Sequence, residues 1–218
     1  YCAFGIVSAL LHAQRTGQGQ VVDAAMVDGA AALLTMVVGF RRGGIWSSGR
    51  GDNIVDGGAP YYAAYETSDR KYISIGAMED KFYELLLSKL GLADDHGMRP
   101  HTDRSKWDYQ RERFKACFLT RSRDEWCDLL EGTDACFAPV LTMDEASNHP
   151  HLKARQTYVD MNGVNQPGPN PRFSLTKPAA SIAPAELGQH SCEVLADWGI
   201  PVETVNDLRR SNVVFQAG

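Results

Sequence analysis

The sequence predicts an α/β protein in which a small α+β domain sits between two long linkers. Three observations carry that reading. A hairpin pattern runs straight into an amphipathic helix between Tyr61 and Leu90. Helical patterns open and close the chain. Stretches rich in Gly, Pro and Asn lie on both sides of the hairpin unit. The expected division is residues 1–40 for a first large-domain segment, 41–60 for a linker, 61–141 for the small α+β domain, 142–186 for a return segment and 187–218 for helices that rejoin the large domain.

Composition bounds the answer. The 218 residues are 44% hydrophobic, as in a globular protein able to bury a core. With a net charge of -5, nothing suggests a basic nucleic-acid-binding face, and no nucleic-acid partner is expected. The longest apolar run, Ala30 to Phe40, is too short to span a bilayer. The five cysteines are odd in number and form no CxxC pair, so no disulfide framework is indicated and a reducing compartment fits best. The six histidines are scattered. No acidic or cysteine partner stands at metal spacing beside His149 and His151, so all six read as surface or cap residues and no metal site is expected. The chain opens at Tyr1 inside a helical pattern with no capping residue before it, which is the expectation for a C-terminal piece of a longer protein.

In chain order, Phe4, Val7, Leu10 and Leu11 line one face of a helix that ends at Thr16-Gly17. Gly17-Gln18-Gly19 is a turn, since a lone GxG after a helix is a very weak dinucleotide signal. Gln20 to Ala24 is a short strand. Asp28 is placed to cap a helix from Gly29 to Phe40, which is apolar all round and therefore buried. Arg41 to Gly58, with six glycines, is a long connection. Tyr61 to Thr67 and Lys71 to Ile75 are the two hairpin strands. Glu79 and Asp80 open a helix whose apolar positions are Phe82, Leu85, Leu86 and Leu90. A polar loop from Ala93 to Asp103 leads to a helix from Ser105 to Leu119. Ser122 to Glu125 is a capping box for a helix to Leu130, and Cys136 to Val140 is a strand. Thr142 to Glu145 is a second capping box, for a helix that stops before His149-Pro150. Thr157 to Met161 reads as a strand, Asn162 to Pro171 as a loop and Lys177 to Pro184 as an extended linker. Ser191 caps a helix ending at Gly199, and a last helix runs from Glu203 to Arg210.

Glu79 stands where a strand hands over to a helix N-terminus, a place that favours a carboxylate. The residues alone leave it open between a helix-dipole partner and a functional group. Asp56-Gly57-Gly58 lets backbone approach a ligand closely. Tyr61 and Tyr62 either wall a cleft or fill the hairpin core. Met26, Met36 and Met78 suit either a surface that accepts many acyl shapes or ordinary core packing.

Three blocks carry a resemblance. They are Gly17-Gln18-Gly19-Gln20-Val21-Val22-Asp23-Ala24-Ala25-Met26-Val27-Asp28-Gly29-Ala30; Asp56-Gly57-Gly58-Ala59-Pro60-Tyr61-Tyr62 followed by Gly76-Ala77-Met78-Glu79-Asp80-Lys81-Phe82-Tyr83; and Leu187-Gly188-Gln189-His190-Ser191-Cys192-Glu193-Val194-Leu195-Ala196-Asp197-Trp198-Gly199. Together, and in this order, they resemble the class III coenzyme A transferase superfamily (CaiB/BaiF type), and within it the α-methylacyl-CoA racemases. The resemblance implies a Rossmann-like large domain joined by two linkers to the small domain. It also implies an interlocked homodimer whose cleft, between the large domain of one subunit and the small domain of its partner, binds an acyl-CoA. The family's proton-transferring His and Asp lie in Gly-His-Asp and Gly-Asp-Phe-Gly segments, and neither segment occurs in these 218 residues. Glu79 matches the glutamate that the family places beside that His. Met26, Met36, Asp56, Gly57, Gly58, Tyr61, Tyr62 and Met78 are the candidate substrate-binding positions.

The implied reaction interconverts (R)- and (S)-2-methylacyl-CoA thioesters. An α-proton is removed to give an enolate and one is returned to the opposite face, which needs two acid–base groups and dipoles for the oxyanion. No metal or redox cofactor is required, because coenzyme A is part of the substrate. The resemblance places the protein in lipid metabolism, in the cytoplasm, or in peroxisome or mitochondrion if eukaryotic. It further implies that the 218 residues alone are inactive. Two alternatives accompany it: a class III acyl-CoA:carboxylate CoA-transferase, and a non-catalytic chain that only dimerises or binds acyl-CoA.

Overall fold

A computed structural model describes residues 1–161, 163–176, 178 and 184–217. It is a mixed α/β structure that divides into two compact units, Tyr1–Val140 and Leu141–Gly218.

The first unit begins with three helices, α1 (Cys2–Thr16), α2 (Met26–Leu33) and α3 (Thr35–Arg42). As the sequence predicts, α1 ends at Gly17, whose φ of 76° is the left-handed conformation that glycine adopts freely. Two expectations fail in the stretch that follows. Gln20 to Ala24 forms no strand, because no neighbouring strand among the described residues offers it a hydrogen-bond ladder. The apolar segment from Gly29 to Phe40 is not buried. It is interrupted at Leu34 into α2 and α3, neither of which has a buried residue. An apolar helix buries only the surface that other elements cover. The N-cap of α2 is Ala25, and Asp28 lies inside the first turn.

The core of the unit is built on β1 (Tyr62–Glu66), β2 (Tyr72–Gly76) and β3 (Phe137–Val140), an antiparallel sheet in the order β1-β2-β3. Register pairs Tyr65 with Ile73 and Ile73 with Pro139, so one face carries Tyr65, Ile73 and Ile75 into the core. Pro139, which has no N–H to give, sits on an edge strand. Against this face pack α4 (Asp80–Leu90), α5 (Trp107–Phe118) and α6 (Arg123–Leu130). The buried side of α4 is Tyr83, Leu86, Leu87 and Leu90, one position round from the face expected. Phe82 and Leu85 are only half-buried, because the Tyr83 ring fills the space beneath the hairpin and brings its own side of the helix inward. Phe114, Phe118 and Trp126 complete the core: Phe114 and Phe118 stack on each other and tilt against Tyr65, and Trp126 meets Phe118 edge-on. Each such fully buried side chain contributes about 1.5–3 kcal/mol over exposure. The capping box that opens α6 is present in both directions, Ser122 to the Glu125 backbone and Glu125 back to Ser122.

The second unit contains α7 (Met143–Asn148), α8 (Pro150–Ala154), β4 (Tyr158–Met161), β5 (Val164–Pro167), α9 (Ser191–Asp197) and α10 (Val202–Arg210). The Thr142–Glu145 capping box opens α7 as expected. Pro150 then starts a further helix, since the first helical position needs no N–H donor. The loop expected from Asn162 holds β5, paired antiparallel to β4. The sequence carried that signal in its Asn-Gly pair. His190, not Ser191, is the residue before α9. Of the extended linker from Lys177 to Pro184, residues 177 and 179–183 lie outside the described residues.

Candidate functional site

Glu79 is the residue on which β2 becomes α4. Gly76 ends the strand with its N–H donating to the Cys136 carbonyl at 2.8 Å, and the Met78 N–H turns back onto the Gly76 carbonyl at 2.9 Å. Glu79 then takes an extended backbone (φ -84°, ψ 143°), and its carbonyl accepts from Phe82 and Tyr83 N–H at 3.0 Å. It is the N-cap of α4, but its side chain makes no cap hydrogen bond and is exposed. A carboxylate here is favoured by the helix dipole yet free to meet another group. Burial, the Glu79 charge and Asp134 push the neighbouring Cys136 thiol up, away from the thiolate form.

The face of the sheet opposite the core carries Tyr62, Ala64, Ser74, Gly76 and Ala138. Small side chains in its middle leave an open cleft of about 370 Å³, bounded by Val55, Gly57, Tyr62, Cys136 and Phe137. Two of the candidate positions, Gly57 and Tyr62, thus meet on one concave, largely apolar surface.

The glycine-rich stretch before β1 is bound to the helices behind it. Asp56 accepts from the Asn53 N–H and the Asn53 side-chain amide, both at 2.8 Å, and from the Gly58 N–H at 3.1 Å. Burial raises the Asp56 carboxyl, but these three donors outweigh it and hold the group below the usual carboxylate range. From α5, Arg111 donates to the Gly57 carbonyl at 3.2 Å and to the Gly58 carbonyl. Asn53, Gly58 and Ala59 are buried. Asp56 and Gly58 therefore order the loop that brings Val55 and Gly57 to the cleft.

Tyr61 is 2% exposed and packs edge-on against Tyr83, His101 and Trp107. It fills the core beneath the hairpin and walls no cleft, because residues 61 and 62 point to opposite sides of the sheet. Met78 is partly exposed beside Glu79, whereas Met26 and Met36 lie exposed on α2 and α3, 91% and 58%, and pack in no core. His101, expected on the surface, is buried at 5% exposure, and its Nε2 bonds the Met78 carbonyl at 2.9 Å. Sequence reasoning missed it because its partners lie some twenty residues upstream and no local pattern announces them. Among the described residues no group of three or more His, Cys, Asp and Glu side chains could hold a metal ion, and no helix is long and apolar enough to cross a membrane.

With the fold and cleft in place, comparison with known proteins is decisive on one point. The model of CoA-transferase family III matches residues 1–191. The chain belongs to CoA-transferase family III. It is similar to the α-methylacyl-CoA racemase of Mus musculus, 38% identical over 98% of this chain and 56% of that protein. It is also similar to an acyl-CoA transferase of Fusarium pseudograminearum, 30% identical over 96% of this chain and 48% of that protein. A crystal structure of a CaiB/BaiF family protein from Brucella suis superposes with a TM-score of 0.64 at 23% identity, covering 89% of this chain and 52% of that one, which shows a shared fold. The chain spans about half the length of the curated relatives it matches. The family match takes in Glu79, the Asp56–Gly58 loop and Tyr62.

Proposed function

We propose that this chain belongs to a racemase of 2-methylacyl-CoA thioesters, in which Glu79 orients an imidazole that moves the α-proton. The observation that carries the reading is the 38% identity to a racemase across 98% of the chain, set beside a Glu79 carboxylate that is exposed and without a cap bond. In this proposal the proton-transferring His and Asp come from the Gly-His-Asp and Gly-Asp-Phe-Gly segments that these 218 residues lack. An interlocked homodimer brings them to the small domain, and the acyl-CoA lies between the subunits. A carboxylate hydrogen-bonded to an imidazole selects its tautomer and stabilises its charged form. One base takes the α-proton, the thioester becomes an enolate, and a second group reprotonates the opposite face. The open cleft beside Tyr62 offers an apolar surface for part of the substrate.

The test is transfer of solvent deuterium into the α-position of (R)- and (S)-2-methylacyl-CoA by the full-length protein. Exchange from both enantiomers, with loss of optical purity, is the expected result. Exchange of coenzyme A between carboxylates without α-exchange would replace the racemase reading by the transferase one. The 218 residues alone are expected to give neither.

A further inference from the structure

We infer that His101 is a positioning residue for Glu79. Its imidazole holds the Met78 carbonyl and thereby fixes the peptide that sets the direction of the Glu79 carboxylate. The catalytic half of this inference rests on the racemase reading above; the mechanical half does not.

The two carbonyls that bracket Glu79 are both held. Its own accepts from Phe82 and Tyr83 N–H at the start of α4, and that of Met78 is met by His101 Nε2 at 2.9 Å. A carbonyl only accepts, so Nε2 carries the hydrogen and the tautomer is assigned by its partner. The remaining nitrogen, Nδ1, faces Asp80 Oδ1 at 3.7 Å, on the first turn of the same helix. The imidazole thus spans the residues immediately before and after Glu79.

The ring cannot turn away. It stacks on Tyr83 with centroids 4.5 Å apart and 23° between planes, and meets Tyr61 edge-on at 4.6 Å. Its own backbone is tied down where Trp107 Nε1 donates to the His101 carbonyl at 2.9 Å. The Glu79 side chain contributes none of this order, since it makes no cap bond at the helix end. An exposed carboxylate that must meet a partner group gains from a turn ordered from beneath, because a misplacement of about 1 Å can lower a rate by about a hundredfold.

Two variants of the full-length protein test the inference. His101→Phe keeps a ring between Tyr61 and Tyr83 but removes the donor. His101→Gln keeps an amide N–H at a reach similar to Nε2. Hydrogen exchange of residues 76–84 is expected to quicken in His101→Phe while the peptides of β1 and β3 keep the parent rate, and His101→Gln is expected to restore most of the protection. In the α-proton exchange assay, His101→Phe is expected to lower kcat roughly tenfold with KM unchanged, and His101→Gln to recover most of it. Parent-like exchange in residues 76–84 of His101→Phe overturns the inference, as does a folded His101→Gln that loosens them. If His101→Phe fails to fold, His101→Gln decides alone. If residues 76–84 loosen but kcat holds, His101 orders the turn without serving the reaction, and the positioning role is overturned. If the parent shows no α-exchange, the racemase reading fails, and hydrogen exchange still decides whether His101 holds the turn.

Discussion

Gly58 lies directly against the backbone of Asn53. A Cβ added there would sit 2.6 Å from the Asn53 carbonyl oxygen and 2.7 Å from the Asp52 carbonyl carbon, and would also meet the Asn53 nitrogen. Backbone atoms cannot step aside as a flexible side chain would. Gly58→Ala is therefore expected to destabilise the first unit by about 1–3 kcal/mol through overpacking. Gly57→Ala meets nothing within 4 Å but must hold φ at +92°, where a Cβ costs about 1–2 kcal/mol. Urea titration of the two variants checks both; a Gly58→Ala midpoint equal to the parent's would show that the loop is free to move.

Asp56 makes the same loop sensitive to acid. Its folded carboxyl titrates below the ordinary 3.8 because Asn53 and Gly58 donate to the charged form. A lowered folded pKa stabilises above the unfolded value, and that stability is lost as pH falls through the folded one. Asp56→Asn is expected to lower the urea midpoint near neutral pH. The gap to the parent should narrow as pH falls below the unfolded carboxylate value of about 4, and close once the folded carboxyl is protonated as well. A gap independent of pH would mean that shape, not charge, holds Asn53.

Glu79→Gln separates the two roles open to this residue. If it orients an imidazole, kcat of α-proton exchange in the full-length protein falls roughly ten- to a thousandfold, part of what acid–base assistance is worth, with little change in KM. The imidazole also loses a stabiliser of its charged form, so its apparent pKa in the rate profile drops. If Glu79 only complements the dipole of α4, the variant loses about 0.3–1 kcal/mol of stability and keeps both rate and profile. Measuring kcat across pH for variant and parent distinguishes these outcomes.

Hydrogen exchange of the isolated 218 residues should divide the first unit. The amides of β2 and α4, which carry Ile73, Leu86 and Leu87 into the core, are expected to exchange slowest. The amides of α1, which has no buried residue and leaves Phe4, Val7 and Leu10 exposed, are expected to exchange fast. Equal protection in α1 and α4 would show that the apolar face of α1 finds cover in solution.

What the sequence determined by itself was local. The hairpin with its following helix, the Gly17 cap and the two capping boxes were legible because each is specified within a few residues by side chain–backbone bonds or by period. The location of Glu79 at a helix N-terminus was legible for the same reason. The apolar helix from Gly29 to Phe40 misled, because apolarity states what a segment can bury and not what will cover it. Tertiary structure alone decided the rest. It turned Tyr61 inward and Tyr62 toward the cleft, occupied the Asp56 carboxylate with Asn53 and Gly58, and carried His101 beneath Met78, 23 residues away in the chain. Such contacts depend on how strands and helices pack, and a buried histidine and an exposed one are spelled alike until a distant carbonyl and two aromatic rings enclose one of them.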